Sequence, residues 1–443
     1  MRLLRWAIGI LVAVGLVAAG YVAWLTLQPG VTDFAGGKAV DLAAYAGPSP
    51  TGVPVDLPPG DALARGAYLT AAADCAACHT AKGGVPFAGG RPFKLPFGTI
   101  YTPNITPDRE TGIGTWTDAE FLRAVHKGIG KGDKHLYPAF PYASYTMLTD
   151  ADVLAIKAYL FSLAPVHRAT LPNTFGFPFN QRWLMAIWSM LFNKDQRFRP
   201  LPDQSPAWNR GAYLVEAAGH CAECHSPRNL LQAPDTRRKL AGGQAEGWNA
   251  YNITGDRLSG IGAWSAQEVT DYLSKGHAFG RGTASGPMRE AVDLSLSKLT
   301  PGDIAAIVTY LRTVPAIRSS AAPEPAGPAP RLASAGPGDN PVGKRMFEGA
   351  CASCHAWSGA GALVGQAQLT GARAVNDPSA VNVAQMVLNG SGKATGDRPA
   401  MPGFASAYTD TEIAAVANYV TARFGAVPST VSAAQVAKLR LEN

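Results

Sequence analysis

The chain has 443 residues, enough for about three domains of ordinary size. Forty-eight glycines, thirty-four prolines and a charged fraction of only 16% suit compact, loop-rich domains and disfavour one large helical or sheet enzyme core. The formal charge of +7 comes from scattered Lys and Arg, without the basic stripe and interleaved aromatics of a nucleic-acid surface, so no nucleic-acid partner is expected.

At the N-terminus, Arg2 and Arg5 precede a run without charge from Trp6 to Leu27, 22 residues or about 33 Å of helix. That length spans a bilayer. Residues 1–30 therefore read as a retained signal anchor, a transmembrane helix with the arginines cytoplasmic and everything after Gln28 outside. A cleaved signal peptide, with Ala18-Ala19-Gly20 as its processing site, is the alternative. Both readings export the chain.

Three units follow, at 58–165, 205–318 and 341–426. Each contains one Cys-x-x-Cys-His: Cys75-Ala-Ala-Cys78-His79, Cys221-Ala-Glu-Cys224-His225 and Cys351-Ala-Ser-Cys354-His355, which together consume all six cysteines. Two thiols spaced in this way form thioethers to one heme, and the adjacent histidine ligates its iron, so the pattern predicts three covalent hemes c. A zinc knuckle needs two close pairs, whereas these lie more than a hundred residues apart. A thioredoxin-like pair has no reason to recur with histidine always next, and no odd cysteine is left over. Six propionates would reduce the +7 to roughly +1.

The units repeat one another. Arg65-Gly-Ala-Tyr68-Leu69 recurs as Arg210-Gly-Ala-Tyr213-Leu214, with a weaker version at Gly343-Lys-Arg-Met-Phe347. Asn104-Ile-Thr-Pro-Asp-Arg109 with Gly112-Ile-Gly-Thr-Trp116 matches Asn252-Ile-Thr-Gly-Asp-Arg257 with Gly260-Ile-Gly-Ala-Trp264, and the third unit lacks this element. Each unit closes on an amphipathic helix whose start, Thr149-x-x-Asp152, Thr300-x-x-Asp303 or Thr409-x-x-Glu412, reads as a capping box. A glycine in the first helix and Tyr159, Tyr310 or Tyr419 in the last would let the two cross closely. This arrangement resembles class I cytochromes c, so the expected fold is mainly α: three tandem cytochrome c-like domains after the N-terminal helix.

Between the first two units, 166–204 contains an apolar helix from Phe175 to Phe192. It either packs between the domains or meets a partner or the bilayer surface. Residues 319–340, rich in Pro, Ala and Gly, read as a semi-rigid linker, and 427–443 as a tail. Arg91 either neutralises a propionate or is solvated. No nucleophile elbow, phosphate loop or dinucleotide fingerprint is present, so no catalytic residues are expected.

The class I resemblance implies a methionine sixth ligand shortly before each last helix. Met401 and Met288 meet this for the third and second hemes. The first unit has Phe140-Pro141 where such families often read Met-Pro, so Met147, the only methionine between Asp61 and Pro165, becomes the candidate by elimination; His126 and His135 stay open as alternatives.

Taken together, the three attachment motifs, the Arg-Gly-Ala-Tyr-Leu leader and Asn-Ile-Thr followed by Gly-Ile-Gly-x-Trp resemble the triheme cytochrome c subunits of bacterial membrane-bound periplasmic dehydrogenases. The likeness runs from Pro58 to Gly425. It implies an electron-transfer subunit on the periplasmic side of the inner membrane, in contact with membrane lipid, relaying electrons from a dehydrogenase catalytic subunit to ubiquinone. Relatives that serve quinoprotein alcohol or flavin-dependent sugar dehydrogenases tend to hold the membrane through C-terminal amphipathic segments. Here Val431 to Leu441 forms only a weak apolar stripe and the anchor is N-terminal. That inversion favours a molybdenum-type aldehyde dehydrogenase with a small iron-sulfur subunit as partner, with the quinoprotein alcohol, gluconate and fructose systems as alternatives.

Overall fold

The computed structural model describes residues 2–54, 57, 62–319, 340–362, 364–392 and 400–442. The linker expected at 319–340 therefore lies, from 320 to 339, outside the described residues.

In each domain a leading helix is crossed by a closing helix. The leading helices are Ala62–Ala72, Pro206–Ala212 and Pro341–Met346, the last two running on as π-helical turns Tyr213–Ala218 and Phe347–Cys351. The closing helices are Asp150–Ser162, Pro301–Leu311 and Asp410–Phe424. At the crossings the expected glycines are needed: a β-carbon on Gly66 would lie 2.1 Å from the Ala155 carbonyl oxygen, and one on Gly211 2.0 Å from that of Ala306. Gly343 approaches Ala415 in the same way, with Tyr159, Tyr310 and Tyr419 alongside.

The helix starts differ from expectation. Thr149, Thr300 and Thr409 all accept the backbone N–H of the acid three residues on, at 3.1, 3.2 and 3.3 Å. Only Glu412 returns the bond, accepting the Thr409 N–H at 2.9 Å. Asp152 and Asp303 are one methylene shorter and are taken by other partners, so the capping boxes expected in the first two domains are not completed. Asp152 accepts from Arg65 (2.6 Å) and from the hydroxyl of Tyr213 in the second domain (2.6 Å). Asp303 accepts two bonds from Arg210 (2.7 and 2.6 Å) and one from Tyr68 in the first domain (2.6 Å). The repeated Arg-Gly-Ala-Tyr is thus a reciprocal lock: arginine binds the acid of its own domain and tyrosine that of its neighbour. Both acids are buried, where charge-assisted bonds of this kind are strongest.

One apolar core accordingly runs through domains one and two, from Leu69 to Val314. The third domain has a separate core, from Phe347 to Leu439, covered by the C-terminal helix Ala433–Glu442. It joins the second domain through polar contacts, among them Arg373 to the carbonyls of Leu258 (2.9 Å) and Ser259 (3.0 Å), and Asn249 to Asp377 (2.9 Å).

The N-terminal helix, Arg2–Thr26, is exposed along most of its length. Its segment Ile8–Thr26, with a mean hydropathy of 2.3, is the one helix among the described residues long and apolar enough to cross a membrane. Its foot stands on the second domain: the Arg237 guanidinium lies 4.2 Å from the Trp24 ring, and Thr236 donates to Gln28 Oε1 at 2.6 Å. The helix between domains is shorter than expected, Leu184–Phe192. Its inner face packs between the domains, with Trp188 against Tyr142 (5.7 Å between rings) and donating to the Leu231 carbonyl (2.8 Å). Trp183 (60% exposed) and Met190 (76%) remain on its outer side.

Candidate cofactor site

Each attachment motif forms a single helical turn, ending at His79, His225 and His355, which sets its two cysteines three residues apart on one side. Burial pushes the thiols up, to about 12 for Cys75, Cys78 and Cys221 and about 11 for Cys224 and Cys351. No cluster of three or more His, Cys, Asp or Glu among the described residues is placed to hold a metal ion directly. The donor set therefore fits an iron carried within a macrocycle.

The three histidines share one geometry. Nδ1 of His79 lies 2.8 Å from the Pro103 carbonyl, that of His225 2.6 Å from Tyr251 and that of His355 2.6 Å from Ala367. A carbonyl only accepts, so Nδ1 carries the proton and Nε2 is left with its lone pair for a metal. Burial lowers all three pKa values, with the carbonyl opposing, and keeps the imidazoles neutral.

The Asn-Ile-Thr element explains how the carbonyl is held. Asn104 donates to the Val166 carbonyl (2.7 Å) and accepts from Thr106 N–H (2.9 Å), and Asn252 donates to Ile317 (2.6 Å) and accepts from Thr254 (2.8 Å). Each asparagine staples the residue after Pro103 or Tyr251 to the chain leaving the closing helix. In the third domain the 3-10 turn Gly365–Ala367 supplies the carbonyl instead. Gly89, at φ 69°, donates to the His79 carbonyl at 2.8 Å; a β-carbon there would lie 2.4 Å from Pro103, which requires glycine.

A cavity of about 1670 Å³ takes in both cysteines and the histidine of the second and third motifs, together with Met288 and Met401. This exceeds the roughly 300–1,000 Å³ of an ordinary small-molecule site and is wide enough to serve more than one cofactor. Of the first motif, Cys78 reaches it. Cys75, His79 and Met147 are not among the residues that line it.

The structure places Met147, the expected ligand of the first heme, outside this cavity, as it does His79 itself. Met147 packs partly buried against the shared core, with its N–H donating to Ser144 (3.0 Å) and its carbonyl accepting from Phe198 (3.0 Å). His126 is buried beside Asp150, with Nδ1 3.6 Å from the carboxylate; burial, reinforced by Arg197, lowers its pKa to about 4. His135 lies in a hairpin opposite Ile129. None of the three lines the cavity. Arg91 is not solvated: it is ion-paired with Glu246 at 2.9 Å and with Glu290, both in the second domain, and it lines the cavity that Cys78 reaches. Charge spacing along the chain carries no sign of partners so remote.

The cytochrome c family model matches residues 63–164, 209–315 and 342–423. The chain is 40% identical over 399 residues to a subunit of nicotinate dehydrogenase from Pseudomonas putida, covering 88% of this chain and 33% of that protein. It is 37% identical to the gluconate 2-dehydrogenase cytochrome c subunit of Pantoea cypripedii, covering 86% and 90% of the two chains. Identity to the fructose dehydrogenase cytochrome subunit of Gluconobacter japonicus is 38%, covering 85% and 82%. The chain thus spans about a third of the first relative and most of the other two.

Proposed function

The chain belongs to the cytochrome c family, and on that premise we propose that it relays electrons from a dehydrogenase catalytic subunit through three hemes to ubiquinone at the periplasmic face of the inner membrane. It carries covalent heme c and is an electron-transfer subunit without catalytic residues of its own. What heme supplies, when bound, is one-electron exchange at iron. Cys75 and Cys78, Cys221 and Cys224, and Cys351 and Cys354 would form the thioethers, and Nε2 of His79, His225 and His355 would ligate the irons. Met288 and Met401, which line the cavity, would offer sulfur to the second and third irons, a donor that raises a heme's potential relative to a second histidine.

The observation that carries this reading is the single apolar cavity shared by the second and third motifs and reached by Cys78 of the first. A shared low-polarity chamber keeps neighbouring cofactors close and excludes water from the path between them. The N-terminal helix serves as the retained anchor in lipid, and the exposed side of Leu184–Phe192 offers an apolar surface near its foot for exchange with ubiquinone.

The favoured partner is a molybdenum-type aldehyde dehydrogenase with a small iron-sulfur subunit. Supporting it, the C-terminal helix is occupied with its own domain: Val436 and Leu439 are buried in the core, and Arg440 is 2.8 Å from Asp410. The N-terminal segment Ile8–Thr26, long and apolar enough to cross a membrane, then serves as the membrane attachment. A quinoprotein alcohol or flavin-dependent gluconate or fructose dehydrogenase is the alternative. Cofactor analysis of the purified native complex tests this: molybdenum and iron-sulfur are expected, and pyrroloquinoline quinone or flavin without molybdenum would overturn the partner while leaving the relay. N-terminal sequencing should find the helix retained.

A further inference from the structure

The first two domains can be compared residue by residue around the sixth-ligand position. In each, a middle helix, Asp118–Lys127 or Ala266–Lys275, ends at a left-handed glycine, Gly128 (φ 66°) or Gly276 (φ 72°). A hairpin of equal span comes next, pairing Ile129 with His135 and His277 with Thr283. The next residue then donates its N–H back to the glycine carbonyl, Leu136 to Gly128 and Ala284 to Gly276, both at 2.8 Å. The register is therefore fixed as far as Leu136 and Ala284, and counting four residues further on gives Phe140 in the first domain and Met288 in the second.

Met288 lines the cavity together with His225. Phe140 packs its ring on Tyr145 at 5.5 Å, and the Tyr145 hydroxyl donates to the Ala73 carbonyl at 2.6 Å, two residues before Cys75. Phe140 thus occupies the place that a methionine holds next door, and a phenyl ring offers iron no donor. Counted back from the cap threonines, Met147 stands where the second domain has Lys298; counted back from the left-handed glycines, His126 stands where it has Ser274, and it is turned toward Asp150.

Resting on the three-heme reading above, we propose that the first heme has no methionine ligand: Phe140 covers its sixth position with hydrocarbon, and its ferrous iron is the one in this chain open to a small neutral diatomic ligand such as carbon monoxide. The aromatic lining of Phe140 and Tyr145 presents no charge to favour an anion.

The test uses the full-length holoprotein. A pyridine hemochrome assay first counts hemes per chain; fewer than three overturns the three-heme relay itself, a failure distinct from that of the ligand assignment. Reduced with dithionite and titrated with carbon monoxide, the unaltered protein should bind one equivalent per chain, and its ferric form should show one high-spin heme. Phe140→Met should abolish carbon monoxide binding and raise the near-infrared sulfur-to-iron band about 1.5-fold, from two methionine-ligated hemes to three. Met147→Ala should change neither. The proposal is overturned if the unaltered protein is wholly low-spin and binds no carbon monoxide. In that event, a gain of binding in Met185→Ala would identify the cavity-lining Met185 as the donor. It is equally overturned if Phe140→Met retains three hemes yet still binds carbon monoxide, or if Met147→Ala weakens the sulfur band.

Discussion

The first two domains and the third start their closing helices from nearly the same four residues and use them in opposite ways. In the third, Glu412 reaches back to Thr409 and the helix start is self-contained. In the first two, the shorter Asp152 and Asp303 face away from their own caps and hold an arginine from their own domain and a tyrosine from the other. One methylene separates a helix cap from an interdomain lock. The outcome is a pair of domains with a common core beside a third with a core of its own.

The sharpest way to break this contrast is Asp303→Ala, which strands Arg210, buried and charged, without its partner. Removing one member of such a pair costs about 3–5 kcal/mol. Calorimetry of the holoprotein should show the transition of domains one and two falling steeply while that of domain three stays in place. Glu412→Ala, the same position in the third domain, should cost about 1 kcal/mol and move the third-domain transition alone. Equal losses from the two substitutions would mean that the acids act alike and the lock has no special weight.

A smaller effect separates the first domain from the second. His126 is buried and held near pKa 4, chiefly by desolvation with Arg197 adding to it and Asp150 and Asp195 opposing; the second domain has Ser274 there. An unfolded histidine titrates near 6.5, so below that pH the unfolded chain binds a proton that the folded chain refuses. Stability is full above about pH 6.5 and falls as pH drops toward 4, by on the order of 1–2 kcal/mol. His126→Ser should flatten that slope in urea titrations at pH 7 and 5; an unchanged slope would remove His126 from the acid response.

Much of this molecule is written in local spacing. The three attachment turns, the crossing glycines, the Asn-Ile-Thr staples and the long apolar N-terminal run each depend on residues a few positions apart, and short-range geometry decides them. Even the departure at Phe140 stands in the sequence, though weighing it needs the hairpin register, because counting methionines between landmarks leads to Met147. The tertiary structure alone decided which partner each cap acid takes, that Arg91 pairs with Glu246 and Glu290, and that the second and third motifs share one cavity. Those outcomes join groups about 60 to 240 residues apart in the chain, and a periodicity or spacing rule has no access to a contact that exists only once two domains have docked.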